Sequence, residues 1–383
     1  MTMGNGSAGR GRRTLGAGIA AVAVLLPMLT AGQAHASTAA NQPAGGATFR
    51  AAVQQIVRDG VPGVIGLQRR GDRVTVVPAG RADIATGQPM TGDDRFRVGS
   101  ITKTFVATLV LKLVAEGRLR LSDSVSRWLP GLVPGGSAIT LRELLQHTSG
   151  IYDYTRDPGF LPAVEADPAR VWPPRELVQI AVAHPPLFPP GTSWAYSNTD
   201  YILLGLVAEA ATGRPLGQEL RKQVFGPLGL RGTSFPVAAT GLPSPHADGY
   251  LLGQPGGPLD VTQVSASIAW GAGAVISTAS DLARFYTLLL AGRLLPAPLL
   301  REMLQTVPAG SIRYGLGIFS LKLPCGTVRG HDGDFPGYSS DAFTSRDDQR
   351  QVVLFFNADS NTLSGQKGAD VASAVSAGIC PAG

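Results

Sequence analysis

Between Thr102 and Glu116 the chain carries Phe105, Val106, Leu109, Val110, Leu113 and Val114, with few charges beyond Lys103, Lys112 and Glu116. A helix apolar around most of its circumference has no face to offer water, so other elements must enclose it. The fold therefore has to be built around this segment. At 383 residues, 44% hydrophobic and 16% charged, the chain is long enough to do so with a large core.

The enclosing elements are legible on both sides. Phe49, Ala52, Val53, Ile56 and Val57 recur at helical spacing up to Gly60, and then the period changes: Val64 to Leu67 and Val74 to Val77 are β-rich runs around Gly71-Asp72, a hairpin signal. Residues 119–264 read as helices and proline-rich loops, with a capping box at Thr140-Leu141-Arg142-Glu143, a helix opened by Pro174 and another from Tyr201 to Ala211 ending at Gly213. A further helix spans Ala279 to Leu290. Strand-like runs follow at Thr327 to Arg329, Tyr338 to Thr344 and Gln351 to Asn357. Strands at both ends with helices between them predict one α/β domain assembled from 47–118 and 265–383, and a helical domain inserted at 119–264.

Ahead of that body, Arg10, Arg12 and Arg13 precede an apolar run from Leu15 to Leu29, and Ala34-His35-Ala36 follows as a small-x-small cleavage site. Residues 1–36 read as a signal peptide and 37–46, small and polar, as a flexible leader. A retained anchor is the weaker reading, since Pro27 interrupts a short apolar core. The mature protein is expected to be secreted, extracellular and monomeric. Removing residues 1–36 leaves 30 basic against 27 acidic residues, or +3, too mild a charge for a nucleic-acid partner, and no later run is apolar enough to predict a membrane span. Cys325 and Cys380 are the only cysteines; in an exported chain they predict a disulfide, with two buried thiols as the alternative. There is no Cys-x-x-Cys or His-Glu-x-x-His, and the mature chain has only His147, His184, His246 and His331, so no metal site is expected.

The chemistry concentrates in three stretches: Ser100-Ile101-Thr102-Lys103, Tyr196-Ser197-Asn198 and His331-Asp332-Gly333. A serine hydroxyl needs a base to take its proton and donors waiting for an oxyanion. Ser100 and Lys103 stand one helical turn apart at a helix start, and a lysine shielded by the apolar helix loses proton affinity. Tyr196 can pass a proton to the leaving group, and Asn198 can donate to a substrate carbonyl. His331 places a donor at the cleft wall, Gly333 allows close approach of substrate, and the backbone N–H groups of Ser100 and Asp334 are the expected oxyanion hole. Ser364-Gly365-Gln366-Lys367 repeats Ser-x-x-Lys, but Tyr-x-Asn and His-x-Gly occur once each; their order selects the first copy.

With these stretches, and with Phe96-Arg97-Val98-Gly99 before the serine, Leu145-Gln146-His147-Thr148-Ser149-Gly150, Tyr152-Asp153-Tyr154, Phe188-Pro189-Pro190-Gly191, Phe225-Gly226-Pro227-Leu228-Gly229-Leu230 and Tyr314-Gly315-Leu316-Gly317, the chain resembles the serine β-lactamase and DD-peptidase superfamily. It is most similar to the secreted D-alanyl-D-alanine carboxypeptidases and class C-type relatives. The resemblance implies a three-layer α/β sandwich with an antiparallel sheet plus a helical domain. It also implies an acyl-enzyme on Ser100 formed without metal or cofactor, a small peptide, ester or β-lactam as substrate, and a structural His147. Similar carboxypeptidases hold a substrate carboxylate with an arginine, at a position that reads Phe319 here, while Asp332 and Asp334 would repel a carboxylate. Arg329 is the candidate compensating cation. D-Ala-D-Ala carboxypeptidase activity is the leading reading; an esterase, a D-amino-acid amidase or aminopeptidase favouring a substrate amine, a β-lactamase and a non-catalytic cell-wall peptide binder are the alternatives.

Overall fold

A computed structural model describes residues 48–359 and 366–380; the expected signal peptide, the leader up to residue 46 and Ser364 lie outside the described residues. An eight-stranded sheet runs through the protein. Its strands are β1 (Gly63–Arg70), β2 (Arg73–Gly80), β3 (Val307–Ala309), β4 (Ile312–Tyr314), β5 (Phe319–Leu323), β6 (Gly326–Phe335), β7 (Tyr338–Ser345) and β8 (Arg350–Phe356), in the order β2-β1-β8-β7-β6-β5-β4-β3. Every pairing is antiparallel. The β1–β2 turn falls at Gly71, whose φ of 56° suits a residue without Cβ. β1 pairs with β8 from Val64↔Phe356 to Arg70↔Arg350, so early and late segments share one sheet.

Helices α1 (Phe49–Arg58) and α7 (Gln366–Ile379) cover one face, where Phe49, Val53 and Ile56 meet Val64, Leu354 and Phe356. On the other face Ile65, Leu67, Val353 and Phe355 join the core of α2 (Thr102–Ala115) and α6 (Ala279–Leu290). This makes three layers. In α2 every residue from Thr102 to Leu111 is buried, as is Leu113, and Phe105 stacks on Phe285 at 3.9 Å; the apolar segment is enclosed as its composition requires. The core continues without a break into α3 (Leu141–Gln146), α4 (Pro174–Val182) and α5 (Asn198–Thr212). Local signals set their ends: the Thr140/Glu143 capping box, Pro174 at the first position, and Gly213 in the left-handed conformation after α5.

Two features depart from expectation. β6 is much longer than Thr327 to Arg329, because cross-strand pairing with β7 from Val328↔Ser345 to Phe335↔Tyr338 holds a glycine- and aspartate-rich stretch extended against its local preference. β3 and β4 are three residues each, with Pro308 inside β3 at the sheet edge, and β5, whose Phe319-Ser320-Leu321-Lys322-Leu323 does alternate, was passed over. Cys325 and Cys380 form a disulfide between the β5–β6 turn and the end of α7. Among the described residues no helix is long and apolar enough to cross a membrane.

Candidate active site

The chain reaches Ser100 through a tight turn. Gly99–Ile101 is a single 3-10 turn leading into α2, and Gly99 has a φ of 48°. A Cβ on Gly99 would collide with the backbone of Asp334, and one on Gly333 would overlap Val98 O and stand 2.8 Å from Ser100 N. Two glycines thus let the nucleophile's turn lie against β6, with Gly99 packed on Asp334 and Ser100 beside Gly333. What Gly333 admits is this turn rather than substrate, a correction to the role expected of it. The pairing of β5 with β6 stops at Phe319↔Gly330, so from His331 onward this edge of β6 faces the Ser100 turn instead of a strand.

Ser100, Lys103, Tyr196 and Asn198 come together. Lys103 Nζ lies 2.9 Å from Ser100 Oγ, 2.8 Å from Asn198 Oδ1 and 2.9 Å from Ala272 O, and Tyr196 Oη donates to Ser100 Oγ at 2.7 Å. Two of the three groups around Nζ, an amide oxygen and a carbonyl, can only accept. A neutral amine has two N–H bonds for those acceptors, and its lone pair is left for the Ser100 O–H. Burial pushes Lys103 down to about 7, against the opposing pull of Asp153, Asp332 and Asp200, so this neutral form is accessible near neutral pH. Burial, with Tyr314 and Asp332 adding to it, holds Tyr196 well above its usual value despite the Ser100 hydrogen bond. Tyr196 therefore stands as a phenol. The arrangement is a directed chain, Tyr196 O–H to Ser100 O–H to Lys103 nitrogen.

The second group of expected residues behaves differently. Asn198 Nδ2 donates to Asp153 Oδ2 at 3.0 Å and to Thr155 Oγ1 at 3.4 Å, so its amide orients Lys103 and has no N–H left for a substrate carbonyl. His331 is 1% exposed. Its Nδ1 lies 2.6 Å from Asp332 O, an acceptor, which assigns the ring proton to Nδ1 and leaves Nε2 to accept from Tyr314 Oη at 2.9 Å. Both ring nitrogens are engaged inside the protein, and the donor expected at the cleft wall is not offered to substrate. Phe319 packs edge-on against His331 at 5.1 Å. Arg329 does not compensate: the charges acting on it are Arg346 and Asp348, at the β7–β8 turn. Asp332, by contrast, has a side chain 57% exposed while its charge is felt by Lys103 and Tyr196.

Sequence reasoning passed over Asp153, Asp200, Tyr314 and the Ala272 carbonyl. Asp153 and Tyr314 stood in matched stretches without an assigned role; a backbone carbonyl carries no sequence signal. His147, which closes α3 at a φ of 60°, is buried with Nδ1 3.0 Å from Asp200 Oδ2 and its ring 4.4 Å from that of Tyr196. Burial lowers its pKa well below the ordinary value and raises that of Asp200. It supports Tyr196 from beneath, as a structural histidine does.

The fold has counterparts. A D-stereospecific amidohydrolase from Streptomyces sp. is 41% identical, with a TM-score of 0.79 over 87% of this chain and 98% of that one. The D-amino acid amidase of Ochrobactrum anthropi SV3, solved with L-phenylalanine, is 28% identical with a TM-score of 0.77, covering 86% and 97%. Penicillin-binding protein 4* of Bacillus subtilis is 27% identical over 304 residues, 74% of this chain and 65% of that protein. Residues 49–376, from α1 into α7, match the Beta-lactamase family. The serine, lysine and tyrosine that meet here in one hydrogen-bonded chain therefore sit on a scaffold matched from residue 49 to residue 376, and the chain belongs to the beta-lactamase family, within the serine β-lactamase and transpeptidase-like superfamily of hydrolases.

Proposed function

We propose that the protein is an exported amidohydrolase that acylates Ser100 with substrates bearing a free amine beside the scissile carbonyl, D-amino acid amides or short peptides with such an amine. The neutral Lys103 takes the Ser100 proton as Oγ forms its bond to the carbonyl carbon. The Ser100 and Asp334 N–H groups receive the oxyanion. Tyr196 donates its proton to the leaving nitrogen; water then attacks the ester and gives a proton to the Tyr196 oxygen, while Lys103 returns its proton to Ser100 Oγ as the acid departs.

The observation that carries the substrate choice is Asp332. It is an exposed carboxylate at the mouth, the charges acting most on Lys103 are acidic, and Phe319 stands where a carboxylate-binding arginine is expected. Such a mouth attracts an ammonium group and repels a terminal carboxylate. The two D-amino-acid-directed neighbours support the same choice, and the penicillin-binding relative supports a D-Ala-D-Ala carboxypeptidase as the second reading. Assaying D-amino acid amides, their N-acetylated forms and D-Ala-D-Ala peptides separates the two. Free amides should turn over best, and Asp332→Asn should raise their KM about tenfold while leaving N-acetylated substrates within about twofold. Release of D-alanine faster than hydrolysis of free amides would overturn the amine reading.

A further inference from the structure

Asp153 is an expensive residue to keep where it is. It is 1% exposed, and burial raises its pKa. Its Oδ1 accepts from Thr155 N at 3.1 Å, capping the turn Tyr154–Arg156, and its Oδ2 accepts from Asn198 Nδ2 at 3.0 Å. A cap alone calls for no charge, since asparagine or serine does the same work. The carboxylate differs from both in one respect: it offers no hydrogen, so only the N–H side of the Asn198 amide can face it. The opposite end, Oδ1, is thereby turned toward Lys103 Nζ.

We propose that Asp153 is a positioning residue for acylation, fixing the Asn198 amide so that the Lys103 lone pair is reserved for the Ser100 hydroxyl. Were that amide free to turn over, its NH2 group would face Nζ and capture the lone pair that has to receive the serine proton. The inference rests on the acyl-transfer reading of Ser100 but not on the choice of substrate. Asp153 also acts through charge, as the first of the groups that restore proton affinity to Lys103. The others facing Lys103 are Asp332 at the mouth, Asp200 with its partner His147 beneath Tyr196, and the rings of Tyr196 and Tyr201, whose centroids lie 4.8 and 5.7 Å from Nζ.

Asp153→Asn tests this, because asparagine keeps the cap on Thr155 and loses both the charge and the acceptor-only character. The readout is the pH dependence of Ser100 phosphonylation by a fluorophosphonate, in which the Oγ–P bond forms, fluoride leaves and Lys103 takes the proton. The variant is expected to react about tenfold more slowly at pH 8, with the acid limb displaced about half a pH unit downward. A rate within about twofold of native, or a slower rate with an unmoved limb, would overturn the proposal. Asp153→Ser, smaller and also a good cap, carries the same expectations should the asparagine variant not fold; failure of both to fold would assign Asp153 to structure alone. If native Ser100 is not labelled at all, the acyl-transfer reading falls and this proposal with it. Labelling without hydrolysis of D-amino acid amides removes only the substrate choice.

Discussion

Lys103 shows how one position can be costly to fold and necessary to chemistry. An ammonium group enclosed by α2 and α5 has lost its water, and burial lowers its affinity for a proton from 10.5 to about 7. The sign of the pH dependence follows. Acylation needs the neutral amine, so kcat/KM should fall as pH drops through about 7 and Lys103 becomes charged. A pH–rate profile with its acid limb there checks this, and a limb near 4 would point to a carboxylate instead. Lys103→Arg keeps the bulk of the stem but stays protonated at any working pH, so it should lose about a thousandfold or more in kcat/KM.

At the scale of elements the decisive contact is between the turn Gly99–Ile101 and β6. Gly333→Ala would place a methyl group against Val98 O and Ser100 N, with backbone on both sides unable to yield. The variant should lose about 1–3 kcal/mol in thermal or denaturant unfolding and most of its labelling at Ser100, because the oxyanion donors are pushed apart. The ends of α3, α4 and α5 and the β1–β2 hairpin could be read from the chain since their signals are local: a capping box, a proline, glycines at positive φ. The site was legible in its nucleophile and proton-transfer groups, Ser100, Lys103 and Tyr196. It was not legible in its hydrogen-bond assignments, because Asn198 is committed by Asp153 at a distance of 45 residues and His331 by Tyr314 at 17. Likewise β3 and β4, three residues each, are too short to carry a period of their own, whereas the alternation of β5 was there to be read.

For the whole molecule, we propose export with removal of residues 1–36, supported by the arginines, apolar run and small-residue site at the start of the chain; protein recovered from culture fluid should begin at Ser37. The Cys325–Cys380 bridge closes a separation of 55 residues, which in the chain-entropy account is worth about 4 kcal/mol. Cys325→Ser paired with Cys380→Ser should lower Tm by about 5 °C in calorimetry. The pairing of β1 with β8 has an effect on timing. A growing polypeptide that already contains the nucleophile and its base still lacks the strand that shapes the oxyanion donors, and the sheet cannot close until β8 is made. A chain truncated before Arg350 leaves β1 and β7 without the strand that joins them, so it should yield neither a stable fold nor labelling at Ser100.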